Sequence, residues 1–336
     1  MPSAREFNIG MARFGRTDLS VSEFGLGCAR IGGFFKSGPA EFIDLLLAAF
    51  DAGIRFFDTA DIYSQGESER LLGRAFRHRR DQVVIASKAG YVLPSQRKLV
   101  ARIKPVVRPA IRLLGLSRHQ LPAAVRGSLT QDFSPPHLRR AVEGSLRRLR
   151  TDYIDLFQLH SPPTETVEKG DWIAVLETLK REGKIRYYGI SCDSVDAALA
   201  ALRLDGISSL QLTFNLLEQA AVGVLPHASQ QGVGVIAREC LANGLLVKEV
   251  STLNVSAYTR SEGEAASKAA SLDFYRRAAA EQGCTLTQLA LQFVNQLQGV
   301  SVSLIGVSSL KQLASLISTS FPLPTPVVHS SSSVNR

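Results

Sequence analysis

Short apolar runs alternate along this chain with longer stretches in which apolar residues recur every three or four positions. The runs are FGLGC (24–28), IRFFDTA (54–60), VVIASK (83–88), YIDLFQLH (153–160), IRYYGIS (185–191), SLQLTFN (209–215), GVIAREC (234–240) and VSVSLIGV (300–307). Each is short, rich in β-branched or aromatic residues and apolar nearly throughout, which predicts a strand buried on both faces. The stretches between them, EFIDLLLAAFDA, ESERLLGRAF, SPPHLRRAVEGSLRRLR, WIAVLETLKREG and LTQLALQFVNQL, carry the helical period. Ser134 ahead of Pro135 and Pro136 marks a helix start, and Gly53 and Gly183 mark helix ends. Apolar strands that each lead into a helix predict a parallel sheet covered on its outer face, and eight such strands are the number that closes a barrel.

The spacing supports a repeat. Asp58 to Lys88 is about 30 residues and His160 to Ser191 about 31, near the length of one βαβ unit. Lys88 to His160 is about 72, so roughly 40 residues are inserted after the third strand. The insertion, about 91–131, has no Asp or Glu, yet carries Arg97, Lys98, Arg102, Lys104, Arg108, Arg112, Arg118 and Arg126. Residues 1–318 therefore read as one barrel domain, and the Ser- and Pro-rich residues 319–336 as a disordered tail.

A chain of 336 residues with 45% hydrophobic content can bury a large core. Cys28, Cys192, Cys240 and Cys284 are scattered without ligand or disulfide spacing, so neither a metal site nor a disulfide framework is expected. The first residues lack the apolar stretch of a signal peptide, and no apolar run is long enough to cross a bilayer. A cytoplasmic protein without a transmembrane segment is the expectation. The net charge of +9 raises anionic partners, and its concentration in the insertion decides where they would meet the chain.

If each strand ends where its polar residue appears, Asp58, Lys88 and His160 stand at carboxyl ends of strands, with Tyr63 on the loop beyond one of them. Barrel enzymes place their chemistry on that face. A phenol is a poor acid at neutral pH, but a nearby Lys88 ammonium is expected to lower its pKa and stabilise the phenolate. Asp58 would hold the lysine, and His160 would orient a carbonyl oxygen toward Tyr63. The set suits a carbonyl that gains a hydride at carbon and a proton at oxygen.

With these residues in place, the chain resembles an aldo-keto reductase. The resemblance rests on FGRTDLSVSEFGLG, AGIRFFDTADIY, SKAG and TDYIDLFQLHSPP, followed in family order by GKIRYYGIS, LQLTFNLL, GVGVIARECLANGLL and LIGVSSLKQL. It covers about residues 12–317. It implies an α/β fold, a (β/α)8 TIM barrel with an N-terminal β-hairpin cap, here with the basic insertion after strand 3, and no metal. The implied function is reduction of an aldehyde or ketone to an alcohol, or the reverse, with NADP(H) favoured and NAD(H) also a candidate. Tyr63 is then the general acid/base, Asp58 and Lys88 its tuning pair, and His160 the carbonyl orienter. Ser191 and Gln211 are expected to hold the nicotinamide carboxamide, Gly27, Arg238 and Leu241 to line the cofactor, and Gly306, Ser308 and Gln312 to meet its adenosine end.

Several positions depart from the family pattern. Cys192 replaces a frequent Asn, Arg238 a frequent stacking aromatic, Ser308 a frequent cation for the 2′-phosphate, and Leu316 a frequent adenine-contacting Asn. These departures weaken strict NADPH use, and with the insertion they keep an alternative open: a regulatory or docking protein that retains the fold and cofactor as a redox sensor. Taken singly, Asp58 reads as a turn former, Lys88 as a solvated cation and His160 as a structural histidine; their joint placement favours catalysis. The other histidines, His78, His119, His137, His227 and His329, read as surface groups. The glycines Gly25, Gly27 and Gly32 do not match a dinucleotide fingerprint, and a Rossmann reading is rejected. The insertion has three readings: a solvated loop, a lid over an anionic substrate, and a docking surface for an acidic partner or anionic surface. Nucleic acid is not expected, because stacking aromatics are missing apart from Tyr91.

Overall fold

The computed structural model describes residues 9–29, 31, 38–92, 130–247 and 262–318. The basic segment 93–129 and the tail 319–336 lie outside the described residues, and so do the roles expected of them.

Eight parallel strands close into one barrel in the order β10-β11-β12-β3-β4-β5-β8-β9. They are β3 (Phe24–Gly27), β4 (Phe56–Asp58), β5 (Val84–Ala89), β8 (Ile154–His160), β9 (Ile185–Ser191), β10 (Ser209–Thr213), β11 (Gly234–Arg238) and β12 (Val300–Ile305). Seven fall inside an apolar run of the sequence, and β5 runs one residue past its run, to Ala89. Helices α1 (Pro39–Asp51), α2 (Glu67–Ala75), α3 (Pro135–Leu149) and α5 (Ile173–Arg181) match the periodic stretches, as does α9 (Leu286–Asn295). The sequence pattern did not mark α4 (Thr164–Lys169), α6 (Val195–Leu202), α7 (Leu225–Gln230), α8 (Glu262–Glu281) or α10 (Leu310–Ser318). Among the described residues no helix is long and apolar enough to cross a membrane.

Two small antiparallel hairpins flank the barrel. β1 (Met11–Arg13) pairs with β2 (Ser20–Ser22), and β6 (Tyr91–Val92) pairs with β7 (Thr130–Gln131) at the root of the basic segment. The first hairpin plugs the barrel. Its Phe14, Leu19 and Val21 pack with Phe56, Val84, Leu156, Ile236, Val302 and Leu304, and Phe14 stacks on Phe56 at 6.2 Å. The plug fills the interior so fully that Gly25 has no room for a side chain: a Cβ there would sit 2.8 Å from Leu304 and Val302. Burial of this kind contributes about 1.5–3 kcal/mol per large apolar side chain, and it closes one end of the barrel to water. Chemistry is left to the other end.

Candidate active site

The period of two along a strand decides which residues reach the interior. Phe56, Ala86, Leu156 and Ile236 belong to the inner cluster. Counting by two toward the carboxyl ends brings Asp58 on β4, Lys88 on β5, Gln158 and then His160 on β8, and Arg238 on β11 to the same inward side. The strand register agrees, since His160 lies beside Ser191, Ser191 beside Gln211 and Gln211 beside Ile236. One alternating pattern thus delivers seven polar groups to the same inward side.

At its centre Asp58 and Lys88 are 3% and 1% exposed. The Lys88 ammonium donates to both Asp58 carboxylate oxygens, at 2.5 and 2.6 Å, and to the Thr59 carbonyl at 3.0 Å. Gln211 Nε2 donates to Asp58 Oδ2 at 2.8 Å, and Ser191 Oγ donates to Gln211 Oε1 at 3.1 Å. A buried pair of charges is tolerable only when its remaining hydrogen-bonding capacity is met, and this chain of bonds meets it. Ser191 and Gln211 therefore already hold the Asp58–Lys88 pair. Burial would drive the Lys88 ammonium to lose its proton, but the Asp58 charge outweighs it and holds the pKa above the ordinary lysine value.

Tyr63 opens a tight turn, Tyr63–Gly66, shortly after β4. Its ring centre is 5.4 Å from the Lys88 ammonium and 5.8 Å from the His160 ring, which meets it edge-on at 81°. Lys88 acts on the phenol in the expected direction, but the net shift of its pKa is upward. Burial, the largest influence, lifts it, Lys88 pulls down, and Asp58 cancels part of that pull, so the pKa ends above the ordinary tyrosine value. A unit charge at that distance is worth about 3 kcal/mol at an effective dielectric of about 20, and half of a close ion pair is worth less. At neutral pH Tyr63 keeps its proton and can act as a donor.

His160 is held neutral. Burial first, then the Lys88 and Arg238 charges, push its pKa down to about 3. Tyr91 packs edge-on against its other side, with ring centres 4.9 Å apart. Nδ1 of His160 is buried without a hydrogen-bond partner. A neutral imidazole flanked by two aromatic rings can offer one N–H to a carbonyl oxygen and accept at the other nitrogen.

Arg238 closes the rim. Its guanidinium pairs with Asp193 at 2.6 Å and Glu239 at 3.3 Å, and donates to the Cys192 carbonyl at 3.2 Å. Asp193 also accepts from Ser161 Oγ at 2.8 Å, and Gln131, at the root of the basic segment, donates to the Ser161 carbonyl at 2.8 Å. The sequence reading missed Asp193, Ser161 and Tyr91 as rim residues. Beside Arg238 lies a cleft of about 430 Å³ lined by Cys192, Asp193, Leu212, Asn215, Glu239 and Asn243, among others.

The remaining cofactor candidates line the carboxyl ends of the neighbouring strands. Gly27 lies beside Asp58 in the β3–β4 register, and Leu241 is buried just past β11. Past β12, a Cβ on Gly306 would meet no atom within 4 Å. Ser308 donates from its backbone N and its Oγ to Gln312 Oε1, at 2.8 and 3.0 Å. Open backbone at Gly306, exposed amide and hydroxyl groups at 308–312 and the cleft under Arg238 are what an elongated, hydrogen-bonding cofactor requires. The residues present fit a dinucleotide laid across this end of the barrel. Among the described residues no cation pairs with Ser308 or Gln312.

A family model described as the Aldo/keto reductase family matches residues 23–336. A D-threo-aldose 1-dehydrogenase from a Pseudomonas species is 32% identical over 240 residues, 68% of this chain and 69% of the relative. An NADH-specific methylglyoxal reductase from Escherichia coli is 30% identical over 249 residues, covering 70% of this chain and 69% of the relative. Among solved structures, an aldo-keto reductase from Bacillus halodurans in its holo form superposes with a TM-score of 0.75 at 27% identity, over 95% of this chain and 93% of the other.

Proposed function

Because this chain belongs to the aldo-keto reductase family, we propose that it interconverts an aldehyde or ketone and its alcohol, with Tyr63 giving the proton to the carbonyl oxygen. A bound nicotinamide cofactor supplies the hydride that the carbonyl carbon gains. The observation that carries this reading is a phenol that keeps its proton, 5.4 Å from a buried ammonium clamped by Asp58, with a neutral imidazole on its other edge. As the carbonyl oxygen gains negative charge, the Tyr63 hydroxyl and a His160 N–H hold it. Once the proton has moved, the phenolate left on Tyr63 faces the Lys88 ammonium and is stabilised where it forms. Ser191 and Gln211 keep Asp58 and Lys88 in register, and they would present the edge of that network to the nicotinamide. Gly27, Arg238, Leu241, Gly306, Ser308 and Gln312 would line the rest of the cofactor.

The two relatives act, by name, on an aldose and on methylglyoxal, both of which carry an oxygen on the carbon next to the carbonyl. Small polar aldehydes of that kind are the substrates to try first. Oxidation of NADH or NADPH on addition of such an aldehyde tests the reading; no carbonyl-dependent oxidation across a panel of aldehydes and ketones would overturn it.

Cofactor choice follows from Ser308. A paired cation on the 2′-phosphate is worth about 1.5–3 kcal/mol, roughly 10- to 150-fold in affinity, and Ser308 supplies none. Both cofactors should support turnover, with less than about a hundredfold difference in kcat/KM. A larger preference for NADPH would show that another group supplies the charge.

The state of His160 sets the acid side of the pH profile. An exposed histidine would titrate near pH 6.5, whereas His160 stays neutral down to about 3. Turnover of a neutral aldehyde should therefore show no loss from histidine protonation between about pH 7 and 5. A pH–rate profile that falls through 6.5, and loses that fall in His160→Asn, would contradict the assignment.

A further inference from the structure

The turn that carries Tyr63 is held in an unfavourable backbone shape. Ser64 at φ 51° and Gln65 at φ 57° lie in the left-handed region, followed by Gly66 at φ 79°. Two consecutive non-glycine residues there are unfavourable, so the surroundings must over-determine the shape. From helix α3, Arg148 runs directly beneath. A Cβ on Gly66 would lie 2.6 Å from Arg148 Cδ. The Arg148 guanidinium donates from Nε to Glu69 Oε2 at 2.5 Å and from Nη2 to Ser145 Oγ at 3.1 Å.

Glu69 is fully buried on α2. Its other oxygen, Oε1, accepts from Ser87 Oγ at 2.6 Å, and Ser87 is the residue before Lys88. One ion pair therefore touches the Tyr63 turn on one side and the Lys88 strand on the other. Asp61, two residues before Tyr63, completes the cluster. Its Oδ1 is buried without a partner, and its amide donates to the Lys88 carbonyl at 3.0 Å. Burial, then the Glu69 charge, lift the Asp61 carboxyl to about 8, while Arg148 opposes them. Arg148 is the cation that both carboxyls face.

We propose that Arg148 is a positioning residue for the Tyr63 hydroxyl, acting through the left-handed turn it supports and through the Glu69–Ser87 contact beside Lys88. The proposal rests on the reading of Tyr63 as proton donor. Stability alone does not account for the pair, because a buried ion pair replaced by neutral groups of similar shape often leaves stability unchanged. Proton transfer, by contrast, requires the hydroxyl within hydrogen-bond reach of the carbonyl oxygen. A displacement of about 1 Å can cost about a hundredfold in rate.

The test uses Arg148→Met, Glu69→Gln and the double variant, with unfolding midpoint, cofactor affinity, kcat and KM measured on each. Arg148→Met leaves Glu69 as a buried unpaired charge and should lose both stability and kcat. Adding Glu69→Gln removes that charge, so the double variant should regain most of the stability. Its kcat should stay about 10- to 100-fold below wild type, with cofactor affinity and KM changed by less than about threefold. A merely structural pair predicts that kcat returns together with stability, and that result would overturn the proposal. If Arg148→Met does not fold, the double variant decides alone. A Tyr63→Phe variant run alongside separates the two failures: if it keeps wild-type turnover, the proton-donor reading fails; if it is inactive while the double variant is fully active, only the role of Arg148 fails.

Discussion

Replacing Tyr63 with Phe is expected to lower carbonyl turnover by at least about 10²–10⁴-fold, the range typical of a lost general acid. The ring would stay. Its edge-on contact with His160 and its place 5.8 Å from that ring are made by the aromatic face and edge, which Phe keeps. The left-handed turn that follows it is fixed by Ser64, whose hydroxyl donates to the Ile31 carbonyl at 2.7 Å, and by Gly66 above Arg148, none of which depends on the phenol. Stability and cofactor affinity should therefore remain close to wild type. Kinetics of the variant with a model aldehyde, next to a direct binding measurement for the cofactor, check this. Turnover within a few-fold of wild type would remove Tyr63 from the role assigned to it.

Replacing Lys88 with Met should harm both stability and chemistry. It strips Asp58 of its ammonium partner and leaves the carboxylate, 3% exposed, with the Gln211 amide alone. Breaking a buried pair from one side costs about 3–5 kcal/mol. The orphaned carboxyl would lower that cost by taking up a proton, which raises its pKa in the folded state above its unfolded value near 3.9. The sign follows. A raised carboxyl binds its proton in the folded state before the unfolded chain does, so the variant should gain stability relative to wild type as pH falls from about 7 toward about 4. Urea midpoints at several pH values would show this, and a difference from wild type that does not shrink on acidification would contradict it. Turnover should be lost as well, since the phenolate formed by Tyr63 would face no cation.

The barrel and its buried polar layer were legible because both rest on local patterns. Each strand is an apolar run bounded by polar residues, and the period of two then sends Asp58, Lys88 and His160 inward without knowledge of any partner. The helices that went unmarked had weak patterns. VDAALAAL in α6 is apolar nearly all round, and α8 mixes Glu, Ser, Lys and Ala without a clear stripe, so neither shows a helical period. The region between β8 and β9 holds two helices rather than one, because Gly170 at φ 66° ends α4 before α5 begins.

Long-range effects were not legible. Asp193 and Arg238 are 45 positions apart, and Arg148 and Glu69 are 79 apart. Asp193, Arg148 and Glu69 read in sequence as ordinary helix or loop charges, and Arg238 as a cofactor-lining strand residue with no partner in view. The direction of the Tyr63 pKa went the other way from expectation for a related reason: how far burial outweighs an ammonium depends on packing that no residue spacing records. Ser191 and Gln211 were expected to face the cofactor; the structure gives them a further use, bracing Asp58, that residue spacing does not disclose.

The central claim is that hydride goes to the carbonyl carbon while this site protonates the oxygen, and isotope transfer tests it most directly. Reduced cofactor carrying deuterium at both hydrogens of nicotinamide C4 is incubated with the protein and a small polar aldehyde in ordinary water, and the alcohol is analysed. The account predicts one deuterium on the carbinol carbon of each product molecule, formed by wild type and almost not at all by Tyr63→Phe. Alcohol without deuterium, or no alcohol in the presence of bound reduced cofactor, would contradict it.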